Sequence, residues 1–401
     1  LPFEVCNRFL NIFTNQEDLL ISNVFGRTDI GYSIDGEASL IGLAHGFWLR
    51  GFNKDSVVED SEDNRYKSMS FSFKDFYESY FKIWNLGAGV ETIGFKEVFR
   101  IEKLSYFYNR NVLIKLGNVV DGVFEYVQVS NVKRTIETDD FTTSIDIGYE
   151  KGAEYEEAIG LDEYNGRSTF TTILDKVENN YEAVSKFRAD SYGMEFARRM
   201  PYELDPTQDT IYDLSTWFVD MKKNELDTSE SISKPLKQRL WQDDFSEAPI
   251  GVFSPDSAQN LRLSPVNILL RHGWAIGSGL TKYLESFIKY SSSDRNSGMS
   301  TTLRQDLYPE YGGTPRSESG NIEAKDLERA RVDGTIIDFE YEVDYDLLQQ
   351  VRGKTVILGK EVQNFYGLVS FKNEYGEIEE GYLTKLSPTG TGKWTLKKFN
   401  N

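Results

Sequence analysis

The chain has 401 residues, 39% hydrophobic and 14% aromatic, with 45 Lys and Arg against 64 Asp and Glu for a net charge of −19. That length exceeds the roughly 250–300 residues at which a single core stops growing, so two or three domains are expected. The acidic balance argues against a nucleic-acid backbone or an anionic membrane as the main partner, and serves solubility. A single cysteine, Cys6, excludes an intrachain disulfide and a cysteine metal cluster, and no apolar run reaches the about 20 residues of a membrane-spanning helix. The sequence opens on Leu1-Pro2, with neither an initiator Met nor a basic-then-apolar leader, and is read as a piece or processed product of a longer chain.

In chain order, Phe3, Cys6, Phe9, Leu10 and Phe13 share one helical face and predict an opening helix. Gly26, Gly31 and Gly36, with Asp29 and Asp35 between them, predict turns. Residues 38–52 are apolar but carry three glycines, leaving helix and strand both open, and the acidic run 58–64 reads as a solvated loop. Phe73, Phe76, Tyr77, Tyr80, Phe81 and Trp84 then recur at helical spacing, with Gly87 and Gly89 closing the pattern. Such an aromatic stripe is expected to fill a core and to pack on the sheet that follows, although aromatics also anchor interfaces.

From residue 91 to 147 the period changes to two. Strands are predicted around Phe95 to Phe99, at Tyr106, over 112–116, 123–129 and 141–147, with turns at Asn109, Gly117-Asn118, Asp121-Gly122 and Asp139-Asp140. Their close spacing favours antiparallel hairpins. A further strand is read over 168–174, a helix over 181–200 ended by Pro201, and a strand over 214–221. The polar stretch 222–234 is taken as the main boundary.

Ser264 and Pro265 open an amphipathic helix carrying Val266, Leu269, Leu270 and Trp274 and ending near Gly277 or Gly279. After a strand at 283–290, residues 291–334 are rich in Ser, Gly and Arg and read as one long loop. It is expected to be ordered by a neighbouring subunit through Leu303, Leu307, Tyr308 and Tyr311, the alternative being a disordered surface loop. Strands at 335–343, 365–371, 378–386 and 394–399, with a short helix at 346–351, complete a small antiparallel sheet or barrel. The fold class is therefore α+β, β-rich and multidomain, with antiparallel sheets or small barrels and a few packed helices. Its expected units are 1–222, an irregular linker 223–262, and a β-rich unit 263–401.

No motif defines a reaction, and the sequence assigns no catalytic, cofactor-binding or metal-ligating residue. The segment SPTGTGKW at 387–394 has Ser387 where a phosphate loop needs Gly and Trp394 where it needs Ser or Thr, and it joins two strands, so it reads as a hairpin turn. The two histidines, His45 and His272, read as structural, since no nucleophile-elbow sequence accompanies them. Carboxylate pairs such as Asp243-Asp244 and Glu379-Glu380 read as surface solvation, and no window has the spacing of a calcium loop.

Several long stretches are familiar together: FGRTDIGYSIDGEASLIGLAHGFWLRGF at 25–52, SFKDFYESYFKIWNLGAGVE at 72–91, YEKGAEYEEAIGLDEYN at 149–165, FRADSYGMEFARR at 187–199, LSPVNILLRHGWAIGSGL at 263–280 and LGKEVQNFYGLVSFKNEYGEIEEGYLTKLSPTGTGKWTLKKF at 358–399. They resemble large tail structural proteins of Bacteroidetes tailed phages, the crAss-like phages among them. The resemblance covers most of the chain and carries over no catalytic residue. It implies a non-enzymatic virion component of the distal tail, muzzle or hub, assembled in the host cytoplasm around the DNA exit channel used in genome ejection. Its implied partners are other tail and virion proteins and further copies of itself in a homo-oligomeric ring, with no cofactor, no strong nucleic-acid binding and no transmembrane segment. The alternative is a tail-borne cell-envelope hydrolase or glycan-binding receptor module.

Overall fold

The computed structural model describes residues 1–45, 71–150, 167–174, 176, 178–189, 215–223, 236–238, 265–292, 300–302, 317–319 and 321–400. Among these the helices are α1 (Pro2–Thr14), α2 (Phe73–Trp84), α3 (Pro265–Arg271), α4 (Gly273–Ile276) and α5 (Tyr345–Arg352). Most of the rest is strand, so the molecule is α+β and β-rich, with no sheet closed into a barrel among the described residues.

Helix α2 organises the larger core. Ser72 accepts from the Asp75 amide at 3.0 Å while Asp75 Oδ2 accepts from the Ser72 amide at 3.3 Å, a reciprocal cap that satisfies two otherwise orphaned donors. Of the aromatic stripe, Phe76, Tyr80 and Trp84 are buried, with Ile83 beside them, while Phe73, Tyr77 and Phe81 are half-buried against the same core. The helix ends on Asn85, whose φ of 50° turns the chain left-handed. Gly87 and Gly89 thus belong to the strand Leu86–Ile93 and do not close the helix. Gly87 is needed for packing: a Cβ there would meet the Phe107 ring at 2.5 Å. Around α2 pack α1, the strand Ile41–His45, the strand Thr216–Lys223 and α3, joined in one cluster by Cys6, Ile41, Phe218 and Leu269.

Two sheets interleave distant parts of the chain. In one, five strands run in the spatial order Asn180–Ser185, Ser144–Tyr149, Arg167–Thr171, Phe287–Ser292 and Ile322–Glu323. In the other, the order is Val112–Lys115, Leu368–Lys372, Ile378–Ser387, Lys393–Phe399, Val332–Glu340 and Ser130–Ile136. The two strands from the first half of the chain therefore form the opposite edges of a sheet whose centre comes from the C-terminal 70 or so residues. Val112–Lys115 pairs in parallel and Ser130–Ile136 antiparallel. One face of this sheet buries Ile114, Ile337, Phe371, Trp394 and Leu396 with Val351 of α5, making a second core.

The expected division into 1–222 and 263–401 does not divide the sheets, because strands from both sides of residues 223–262 hydrogen-bond to one another in each. Most of that segment lies outside the described residues.

Other local expectations change as well. Residues 181–185, expected as the start of a helix, lie instead in the strand Asn180–Ser185, parallel to Ser144–Tyr149, where burial of Ala183 and Val184 overrides the weak helical preference of the local sequence. Tyr106 sits in a 3-10 turn, Leu104–Phe107, and Gly117-Asn118 begins a strand that hairpins with Val123–Tyr126. The strands Ser130–Ile136 and Lys354–Gln363 (a hairpin of two) were not anticipated. The amphipathic helix breaks at His272 into α3 and α4 before a final turn, Gly277–Leu280. Residues 291–334 are not one loop where described: Ser300–Thr302 pairs with Ser317–Ser319, Ile322–Glu323 extends the five-stranded sheet, and Ala324 and Leu327 are in the main core. Leu303, Leu307, Tyr308 and Tyr311 fall outside the described residues, as does the acidic run 58–64.

Candidate functional site: a polar pocket at the end of the aromatic helix

The end of α2 forms one wall of a pocket of about 310 Å³. Trp84 and Asn85 line it from α2, and Leu270, Arg271 and Trp274 from α3 and α4. Glu37, Lys103, Ser105, Asn267 and Glu328 complete it. Three connections fix this geometry. Asn85 Nδ2 donates to the Arg271 main-chain carbonyl at 2.9 Å, the Leu104 main-chain N–H donates to the Asn85 main-chain carbonyl at 2.7 Å, and Arg271 Nη1 donates to the Ile83 carbonyl at 3.2 Å. Tyr108 touches Trp274 on one side and Tyr382 on the other, with centroids 5.1 and 5.0 Å away, and so joins the pocket to the six-stranded sheet.

The charged groups of the pocket are held by one another. Lys103 Nζ lies 2.6 Å and Arg271 Nε 3.6 Å from the Glu37 carboxylate, and Arg331 Nη2 lies 2.9 Å from Glu328. The Arg271 guanidinium also faces the Trp84 ring at 5.8 Å, and Arg331 faces Trp274 at 5.5 Å. Two neutral groups differ. Trp84 Nε1 and Asn85 Oδ1 are buried, in residues only 1% and 4% exposed, and neither has a hydrogen-bond partner among the described residues. A donor and an acceptor left unpaired on consecutive residues are uncommon among buried polar groups.

His272 lies outside the pocket and is fully enclosed. Its Nε2 is 2.8 Å from the Lys82 carbonyl and its Nδ1 is 2.5 Å from the Tyr181 hydroxyl. Nε2 therefore carries the proton and donates to the carbonyl, while Nδ1 accepts from the tyrosine. Burial depresses the imidazole to about 4 and pushes the Tyr181 phenol upward. Nε2 thus ties the break between α3 and α4 to α2, and Nδ1 ties it to the strand Asn180–Ser185. For His45, the backbone pairs with Thr216 in a strand.

A second buried ionic group sits beneath the Leu86–Lys103 hairpin. Arg100 bridges Glu91 at 2.7 Å and Glu102 at 3.1 Å, Tyr106 donates to Glu91 at 3.1 Å, and Asn23 donates to Glu102 from main chain and side chain. Desolvation raises Glu102 above the usual carboxylate range despite the nearby cation. Glu379 is engaged by Arg134 and Lys398, and Asp243-Asp244 lie outside the described residues. The 387–394 segment is the expected hairpin connection: Gly392 has φ +70°, and a Cβ there would strike the Tyr341 carbonyl. Among the described residues no three His, Cys, Asp or Glu side chains are grouped to hold a metal ion, and no helix is long and apolar enough to cross a membrane.

Sequence reasoning did not single out Glu37, Asn85, Lys103 or Glu328. Asn85 had one usable signal, its place immediately after the last apolar residue of a strong helix, where Asn tolerates the left-handed turn. Compared with protein-family models, curated proteins and solved structures, the chain matches none.

Proposed function

We propose that the chain is a non-enzymatic structural subunit of a phage tail, at the distal tail, muzzle or hub, assembling with further copies of itself and with other virion proteins. The observation that carries the assembly reading is the apolar character of its hairpins. In the Leu86–Lys103 hairpin Val90, Ile93 and Phe95 are exposed, and in the neighbouring Lys354–Gln363 hairpin so are Val356 and Leu358. Lys354 Nζ donates to the Thr92 carbonyl at 2.7 Å and ties the two hairpins together. Val119, Val120, Val123 and Phe124 repeat the pattern on a third hairpin. Apolar side chains gathered on projecting hairpins fit burial against another subunit, and the long resemblance supplies the tail as the setting.

Glu37 and Glu328, the two carboxylates that line the pocket, are each paired with a cation, whereas an envelope hydrolase needs one protonated carboxyl group as its general acid. Sedimentation velocity of the chain and of a Phe95→Asp, Leu358→Asp double variant tests the assembly reading. A discrete oligomer that the double variant loses, with its circular dichroism unchanged, is expected. A chain that stays monomeric at every concentration, or an oligomer indifferent to both substitutions, rejects it.

A further inference from the structure

We infer that the buried Glu91–Arg100–Glu102 group is a proton-operated clasp: one proton, taken up on Glu102 Oε2, neutralises it and fastens the Leu86–Lys103 hairpin to the body of the molecule. The Glu91 and Glu102 side chains, 4% and 6% exposed, share the single Arg100 guanidinium, so with both ionised the group encloses one uncompensated negative charge. The elements packed against it add no positive charge. Asn23 and Tyr32 face it from the segment after the strand Leu20–Ile21, Tyr106 from the turn Leu104–Phe107 and Tyr366 from the turn Asn364–Tyr366. Burial pushes all three phenols upward, so they stay neutral.

The placement of donors decides which carboxylate takes the proton. Glu91 uses both oxygens: Oε2 accepts from Arg100 Nε and Oε1 from the Tyr106 hydroxyl. Every donor to Glu102 arrives at Oε1, the Asn23 main-chain N–H at 3.0 Å, Asn23 Nδ2 at 2.9 Å and Arg100 Nη1 at 3.1 Å. Glu102 Oε2 has no hydrogen-bond partner among the described residues, so it takes a proton without breaking a bond. Burial in turn holds the Glu102 carboxyl above its ordinary value of 4.5.

The group joins the hairpin to distant parts of the chain, through Asn23 on one side and Tyr106 on the other. In the same sheet the Phe99 amide donates to the Leu19 carbonyl at 2.9 Å. The folded chain binds the Glu102 proton more tightly than the unfolded chain does, so stability from this source is absent at high pH and grows as pH falls through the folded value towards 4.5. Its sign is opposite to that of His272, whose folded value is depressed to about 4. The hairpin so held presents Val90, Ile93 and Phe95, but the clasp does not depend on what those side chains meet and stands or fails apart from the assembly reading.

Carbon-13 NMR of the full chain, labelled at the Glu side-chain carboxyl carbons, follows the proton directly. A Glu102 midpoint above 4.5 is expected. Glu102→Gln keeps an accepting oxygen for Asn23 and Arg100 and cannot titrate. From about pH 7.5 to about pH 4.5 the natural chain is therefore expected to gain in urea midpoint relative to the variant. Both chains carry His272, so its acid effect cancels in that difference. Amide exchange reads the hairpin itself: protection of the Phe99 amide, relative to the variant, is expected to rise over the same range. The inference is overturned if Glu102 titrates at or below 4.5, if the difference in urea midpoint stays constant with pH, or if Phe99 protection changes equally in the two chains. The NMR titration needs only the natural chain and decides the matter should Glu102→Gln fail to fold.

Discussion

The Asn85 side chain donates a 2.9 Å hydrogen bond to the main-chain oxygen of Arg271, 186 positions away in the sequence. One residue thereby ends α2, through its φ of 50°, and fastens it to the end of α3. Asn85→Ala removes the bond and places an alanine in the left-handed region, so a loss of about 1–3 kcal/mol is expected. Asn85→Gly loses the bond alone and should be less destabilised. Urea midpoints of the two variants check the order; an alanine variant as stable as the glycine variant would show that the left-handed turn relaxes without cost.

Trp84 is buried, stacked on Tyr80 at a centroid distance of 5.4 Å and set edge-to-face against Phe218 at 6.1 Å. Trp84→Ala is expected to cost about 3–5 kcal/mol, the usual range for a large aromatic deleted from a core. Thermal and chemical denaturation measure it. An unchanged midpoint combined with lost self-association would instead assign the aromatic stripe to an interface.

Acid should weaken the fold through His272. Its folded value of about 4 lies below the ordinary histidine value of 6.5, so the unfolded chain binds a proton the folded chain excludes. Stability is therefore expected to fall as pH drops from about 6.5 towards 4, by about 3 kcal/mol in total, and this contribution levels off below 4. Denaturant midpoints across that window, compared between the natural chain and His272→Gln, isolate the effect. The variant is expected to lose most of the slope; an equal slope in both would move the cause to another group.

Residues 1–222 expressed alone are not expected to fold cooperatively as a complete unit. Val112–Lys115 and Ser130–Ile136 would lose the four strands that separate them, and Ile114, Leu116 and Val129 would lose the core they share with Trp394 and Leu396. Loss of a sharp unfolding transition, with recovery on adding residues 263–401, is the expected result. A sharp transition in the fragment by itself would restore the division at 223–262.

The sequence by itself determined the elements whose evidence is local. The aromatic period of α2, the face of α1, the short helix near 346–351 and the C-terminal strands follow from side-chain spacing that repeats within one element, and the hairpin turn at 387–394 follows from residues that suit it. The β-rich α+β class follows from their sum. Tertiary structure alone decided the rest. Several pairings join strands more than a hundred residues apart, and residues 181–185 are helical in preference yet strand in context because a parallel neighbour and a buried face reward extension. The pocket is of this second kind: Glu37, Asn85, Lys103, Arg271 and Glu328 share no spacing, and only the folding of five separate segments gathers them into one lining.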